Sequence, residues 1–249
     1  VSMLGIALGV AALIIVLSVM NGFQKEVRDR MLAVLSHVEV FAPGGAAIPD
    51  LPRTLAEIRR HPEVVGVAPF IGAQGLIARG EDMKGTIVRG IDPALEPSVT
   101  DLGAQLSANV LPRLQPGAFG IVLGGELARS LGVREGDTVT LIAPSGQVTP
   151  AGVVPRIKQM TVVGLFDSGH YEYDSALALI HQDDAARIFR LEGPTGVRVK
   201  LRDLQQARLV AAQLANMLSG DLLVRDWTRQ NRTWFAAVQL EKRMMFIIL

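Results

Sequence analysis

The first twenty residues constrain this chain most, because Val1–Met20 contains no charged residue and only two serines. Eleven of these residues are Val, Leu or Ile, and each contributes about −0.3 to −0.6 kcal/mol to membrane insertion near a helix centre. A run of about 18 or more apolar residues matches the hydrocarbon thickness of a bilayer. No A-x-A-like cleavage site precedes Asn21, and the apolar residues cover every helical face. We therefore expect residues 1–22 to form a first transmembrane helix rather than a cleaved signal peptide or a buried core helix.

The other end of the chain is apolar again, over Met244–Leu249. Next to both apolar ends, hydrophobic residues recur at helical spacing with charged residues on the other faces, which indicates amphipathic helices. The sequence predicts an amphipathic stem over 23–36. It also predicts a second stem and the start of a second transmembrane helix over 231–249, cut off at its carboxyl end.

Composition excludes several classes of function. The net charge is +1, which gives no indication of nucleic-acid binding. The absence of Cys excludes disulfides, thiol catalysis and Cys-based zinc sites. The sequence contains no P-loop, no G-x-G-x-x-G fingerprint and no G-x-S-x-G elbow. We expect no catalytic residues, no metal site and no cofactor held by this chain.

Between the stems, predicted strands alternate with short helices. Val64–Pro69 and Gly75–Ala78 are typical of separate strands, Asp183–Arg190 of a helix with acids in its first turn, and Leu204–Leu218 of an amphipathic helix. This pattern predicts a mixed α+β domain with two lobes. Its predicted parts are an outer lobe over 37–93 and 169–230 and an inserted lobe over 94–168.

One segment of the predicted inserted lobe, Ala143–Gln159, is a candidate for a functional role. Ala143–Gln159 carries Pro144, Pro150 and Pro155 and contains no acidic residue. It joins two predicted strands, and hairpin loops usually have about two to five residues. The segment 150–155 is apolar where a solvent loop is normally polar. The residues leave open whether 144–158 is an ordinary surface loop or a loop that binds a partner.

A polar cluster, Gly169–Asp174, contains one His, both tyrosines of the chain and two acids. A metal or acid–base site is one interpretation. A turn whose polar side chains fix the loop is the one we favour.

The sequence resembles a known family at several motifs. Leu17–Phe23 and Glu241–Met245 resemble the first two membrane helices of LolC and LolE, the membrane subunits of the lipoprotein-releasing ABC transporter. Thr149–Gly152 with Pro155 resembles LolC in particular, although Ala151 and Ile157 depart from the LolC pattern. The resemblance implies a fragment of a bacterial inner-membrane protein. One transmembrane helix would lead into a two-lobed MacB-like periplasmic domain, truncated at the second helix.

The resemblance also implies roles for residues. The loop 144–158 corresponds to the hook with which LolC captures the periplasmic chaperone LolA. The expected chaperone-binding residues are Pro144, Pro150, Ala151, Gly152, Val153, Val154, Pro155, Arg156 and Lys158. Acyl chains of the lipoprotein substrate would contact an apolar surface near the outer membrane interface, for which we expect Ile15, Met20, Phe23, Val27, Val238, Met244 and Met245.

The expected partners follow from the same resemblance. A separate LolD-like ATPase would bind ATP and Mg, and the second membrane subunit would be a paralogue or a copy of this chain. Other partners would be LolA, the lipoprotein and membrane lipid. The alternative is a MacB- or FtsX-like mechanotransmission subunit that moves no lipid, and an anchored secreted enzyme is a third hypothesis.

Overall fold

The computed structural model describes residues 36–100, 106, 109–149, 152–218 and 221–230, together with 7–8, 10–11, 14–19 and 22. The last group is helical. Within the described residues, no helix combines the length and the apolar character needed to cross a bilayer. The predicted stems lie outside the described residues except for Ser36, as does the predicted start of the second transmembrane helix.

The described part of the chain alternates strands with short helices, as the sequence predicts. The strands are β1 Val38–Phe41, β2 Val64–Arg79, β3 Asp82–Ile91, β4 Gly120–Gly124, β5 Thr138–Thr149, β6 Gly152–Phe166, β7 Leu177–His181, β8 Gly196–Leu201 and β9 Leu223–Asp226. The helices are α1 Leu51–Arg59, α2 Gly125–Ser130, α3 Tyr171–Asp174, α4 Gln182–Phe189, α5 Ala207–Met217 and α6 Trp227–Gln230.

Six strands close into a ring in the order β2-β3-β7-β4-β6-β5 and back to β2. The β4–β6 and β3–β7 pairings are parallel, and the other four are antiparallel. Closure leaves no free edge in this barrel. Helix α4 covers its core through Ala185, Ile188 and Phe189. The strands fill the core with Ile71, Ile77, Val88, Ile121, Leu123, Val139, Leu141, Met160, Val162 and Ile180.

The second lobe is an open sheet in the order β2-β8-β1-β9, with all pairings antiparallel. Helices α1 and α5 pack on it. Along α5, the buried residues Ala207, Val210, Ala211 and Leu214 recur at the helical spacing that forms one apolar stripe. The core of this lobe comprises Val38, Val40, Ile58, Val67, Val197, Val199, Leu201, Val210 and Leu214.

Strand β2 belongs to both lobes, and its pairing changes at Phe70. This residue stands opposite Gly196 of β8 on one side and Ile91 of β3 on the other. Gly196 is required there, because a Cβ atom would lie 2.5 Å from the Phe70 ring. The two predicted strands Val64–Pro69 and Gly75–Ala78 are therefore one continuous strand.

The boundaries of the observed lobes differ from the predicted ones, in which 94–168 formed an inserted lobe. The barrel core includes Ile71 and Val88 on one side of that range and Ile180 to Phe189 on the other. The outer segments 37–93 and 169–230 thus each contribute to both lobes. The physical reason is the pairing of β2 with β3 and of β3 with β7, which no local pattern in the sequence reveals.

Candidate functional site: a hairpin that extends from the barrel

The segment predicted as a loop over 144–158 is a β-hairpin, so this prediction of its conformation is wrong. Strands β5 and β6 pair from Thr138–Thr161 to Ala143–Arg156 and resume at Gln147–Val154, Val148–Val153 and Thr149–Gly152. The connection, residues 150–151, lies outside the described residues. The hairpin thus extends the barrel wall as a two-stranded arm.

Prolines interrupt the arm at one place without ending it. Pro144 and Pro155 both fall in the register shift that separates the two paired stretches. Because proline donates no backbone hydrogen bond, it is tolerated in a sheet at a bulge of this kind. A proline-rich composition typical of loops is therefore compatible with a hairpin.

The base of β6 has two different faces. Arg156, Lys158 and Met160 stand opposite Ala143, Leu141 and Val139, all of which are buried in the barrel core. Cross-strand partners project from the same face of a sheet, so these three side chains point inward. The alternating residues Pro155, Ile157 and Gln159 are exposed.

The two inward cations of the base have defined contacts. Nη1 of Arg156 donates a hydrogen bond to the carbonyl oxygen of Ile188 over 3.3 Å. Nζ of Lys158 lies 3.6 Å from the centroid of the Phe119 ring, within the range of a cation–π interaction. Both side chains are half-buried. The structure therefore places these two predicted hook residues against the barrel.

An apolar row crosses the outward face at the same level. Ile157 pairs with Ile142, which pairs with Leu76 of β2. Ile157 is 65% exposed and Leu76 is 37% exposed. In the sequence, Ile157 is notable only as a departure from the LolC pattern. Its apolar neighbours could not be predicted, because the row depends on the β2–β5 register.

A buried charged cluster at the junction of the lobes was also missed. Arg198 of β8 donates two hydrogen bonds to the carboxylate of Glu96, the Nη1–Oε1 distance being 2.8 Å. Arg89 of β3 lies beside them, and burial and the Arg198 guanidinium lower the pKa of Arg89. Nη2 of Arg89 lies 3.8 Å from Oε1 of Glu39 in β1. These residues are far apart in sequence, and no spacing signal connects them.

The comparison with known families agrees with this architecture. Residues 1–217 match the model of the MacB-like periplasmic core domain. The chain belongs to this family. The expectation of a MacB-like fold is thereby confirmed.

Among relatives of this MacB-like chain, a Neisseria meningitidis protein is named lipoprotein-releasing system transmembrane protein LolC, and it is 47% identical over 100% of this chain. A Haemophilus influenzae protein named LolE is 28% identical over 100% of this chain. The chain spans 60% of the length of each. The periplasmic region of MacB from Actinobacillus actinomycetemcomitans is 13% identical, with a TM-score of 0.46, over 83% of this chain and 94% of that one. The resemblance to LolC and LolE is confirmed.

The remaining predicted site residues of this MacB-like chain are described only in part. Gly152, Val153 and Val154 lie in β6, where the structure describes their backbone. Pro144 is exposed, and Ile15 is helical and 61% exposed. The others lie outside the described residues: Pro150, Ala151, Met20, Phe23, Val27, Val238, Met244 and Met245.

The polar cluster 169–174 forms a tight connection between β6 and β7, which ends in the one-turn helix α3 and is held by hydrogen bonds. The buried carboxylate of Asp174 accepts from the backbone N–H of Ser168 over 2.9 Å and from its hydroxyl over 2.6 Å. The backbone N–H of His170 donates to the same hydroxyl over 3.2 Å. No group of three or more His, Asp or Glu residues able to hold a metal occurs within the described residues. The arrangement supports a structural turn.

Proposed function

We propose that this chain is part of a LolC-type membrane subunit of a lipoprotein-releasing ABC transporter. The subunit would sit in the bacterial inner membrane with the two-lobed domain in the periplasm. It would extract lipoproteins from the membrane and pass them to a LolA-like chaperone held by the hairpin. The similarity to LolC along the whole chain supports this proposal. The observation that carries it is the hairpin, an arm whose pairing continues beyond the core of the barrel.

The outer part of the arm and its exposed face would form the chaperone-binding surface. Ile157 adds exposed apolar area beside the predicted contacts Pro144 and Pro155. A paired hairpin is preorganised, so less conformational entropy is lost on binding than for a free loop. A single hairpin offers a small contact area, and small interfaces are typical of weak or transient complexes, as the transfer of a substrate requires.

Energy would come from a separate LolD-like ATPase that binds ATP and Mg, so this chain would act as a non-catalytic subunit. The second membrane subunit would be a paralogue or a second copy. Acyl chains would contact the first and second membrane helices at the residues predicted from the sequence. Methionine suits variable acyl chains because its side chain is flexible and polarizable.

Capture of purified LolA by the full-length subunit in its assembled transporter tests the proposal. We expect the wild type to retain LolA and V153D/V154D to lose it. The matched control is V65D, since Val65 lies in the other lobe and is 53% exposed. Equal LolA capture by V153D/V154D and the wild type would overturn the hairpin assignment.

The family match favours a second candidate, a MacB- or FtsX-like mechanotransmission subunit. Such a subunit would couple ATP hydrolysis to another periplasmic partner without moving lipid. Release of an acylated lipoprotein from proteoliposomes by the assembled transporter, dependent on ATP and LolA, distinguishes the two. ATP hydrolysis without release would support the second candidate.

A further inference from the structure

The base of the hairpin contacts two neighbouring elements, α4 and the segment Gly117–Phe119. We call these two elements together the bracket. The carboxylate of Asp184, in the first turn of α4, is fully buried. It accepts hydrogen bonds from the backbone N–H of Gly117 over 2.8 Å and from that of Phe119 over 3.1 Å. The helix therefore fixes the backbone that presents the Phe119 ring.

Phe119 has a backbone conformation that a bulky residue rarely adopts, with φ at 52°. The hydrogen bond to Asp184 stabilises this conformation. In this conformation the Phe119 ring faces Lys158, whose Nζ lies 3.6 Å from the ring centroid. Asp184 thus holds the backbone of the residue whose ring contacts Lys158.

The other end of α4 holds the second cation. Ile188 lies in the last turn of this helix, where carbonyl groups have no partner within the helix. Its oxygen accepts from Nη1 of Arg156. A cation at the carboxyl end of a helix is also favoured by the helix dipole. Both ends of α4 therefore act on β6, at residues two positions apart.

We propose that Arg156 and Lys158 are positioning residues, which fix the direction in which the hairpin leaves the barrel. This inference rests on the proposed capture of a chaperone by the hairpin. It differs from the prediction that the two cations contact the chaperone themselves. Their inward orientation and their bonds to the bracket carry the distinction. Binding would benefit because a fixed arm loses less freedom when it docks.

The first test measures the arm without a chaperone. Spin labels are attached at T149C on the arm and at E81C on the β2–β3 turn. The 249 residues contain no other Cys that would compete for the label. The labels are placed in the full-length subunit of the assembled transporter. We expect a narrow distance distribution for the wild type and a broader one for K158M and F119L. K84M is the control, since Lys84 is exposed on the same barrel. A distribution in K158M as narrow as in the wild type would overturn the inference.

The second test measures LolA affinity for the same transporters. We expect K158M and F119L each to weaken binding about fivefold, the scale of one lost cation–π contact. The double variant should be no weaker than either single one, because both remove the same interaction. K158R should retain wild-type affinity, since arginine also makes cation–π contacts. The salt dependence of the association rate should stay unchanged in K158M.

The outcomes distinguish failure of the positioning role from failure of the proposed function. A broader distribution in K158M, with no LolA binding by the wild type, would refute the proposed function and keep the positioning role. Loss of affinity in K158M with a reduced salt dependence and unchanged affinity in F119L would identify Lys158 as a direct charged contact. That result would overturn the inference and keep the proposed function.

Discussion

Arg198 and Glu96 form a bidentate ion pair at the junction of the lobes, with side chains that are 1% and 0% exposed. Arg198 belongs to β8 of the open sheet. Glu96 lies in the turn Glu96–Ser98, after barrel strand β3. The hydroxyl of Thr100 donates to Oε1 of Glu96 over 2.8 Å and completes the set. The pair therefore ties the segment that leaves the barrel to the sheet of the other lobe.

Removal of one member of this pair should destabilise the protein strongly. We expect R198M to lower the free energy of unfolding by about 3–5 kcal/mol, because the buried Glu96 carboxylate loses its bidentate partner. The double variant E96L/R198M should recover most of this loss, since apolar residues of similar volume often replace buried ion pairs at little cost. Denaturant unfolding of the full-length subunit measures both. R53M breaks a pair with an exposed arginine and should change stability by less than about 1 kcal/mol. Equal stabilities of R198M and R53M would contradict the prediction.

Gly124 is a position where the smallest side chain matters. A Cβ atom there would lie 2.7 Å from the carbonyl carbon of Asp174, and a backbone atom cannot move away as a flexible side chain can. We expect G124A to cost about 1–3 kcal/mol of stability, the usual range for overpacking. G85A is the control, because a Cβ atom at Gly85 meets nothing within 4 Å. Thermal unfolding of both variants measures the difference, and a G124A midpoint equal to that of G85A would refute the steric argument.

A substitution at Ile157 should affect chaperone binding without affecting stability. Its side chain is 65% exposed, so I157D should change the free energy of unfolding by less than about 0.5 kcal/mol. If the hairpin captures LolA as proposed, the same variant should weaken capture about tenfold, because a charge then enters an apolar contact. L209D is the control, since Leu209 lies on α5 of the other lobe and is 58% exposed. Surface plasmon resonance with immobilised LolA measures the affinities. Wild-type affinity in I157D would exclude the outward row from the interface.

The turn 169–174 should respond to mutation and not to chelation. D174A removes the acceptor of two hydrogen bonds from Ser168 and should cost about 1–3 kcal/mol. EDTA should leave the melting temperature of the wild type unchanged, because hydrogen bonds hold the turn. E172Q, at an exposed position, is the control and should behave as the wild type. A drop in the melting temperature on addition of EDTA, reversed by a divalent metal, would restore the metal-site interpretation.

The helices of the domain follow from local patterns. The predicted helix Asp183–Arg190 is observed as α4, and its acids Asp183 and Asp184 lie in the first turn. The predicted helix Leu204–Leu218 is observed as the turn Leu204–Gln206 followed by α5. Periodicity and first-turn acids act within a few residues, so a single sequence contains the information.

The hairpin and the barrel depend on register, which no local pattern contains. Three prolines within 144–155 are typical of a loop, yet the bulge accommodates Pro144 and Pro155 between paired residues. The inward orientation of Arg156 and Lys158 likewise follows from the pairing of β6 with β5. The sequence therefore indicates this segment as a candidate site, but it does not reveal the inward orientation of the two cations.

The strand β2 has a consequence for how the molecule unfolds. It is 16 residues long, or about 50 Å at about 3.3 Å per residue. Its first half completes the open sheet and its second half closes the barrel. Loss of either lobe would strip backbone partners from a strand that the other lobe needs. The two lobes are therefore expected to unfold in a single cooperative transition, in which neither lobe persists as an independent intermediate.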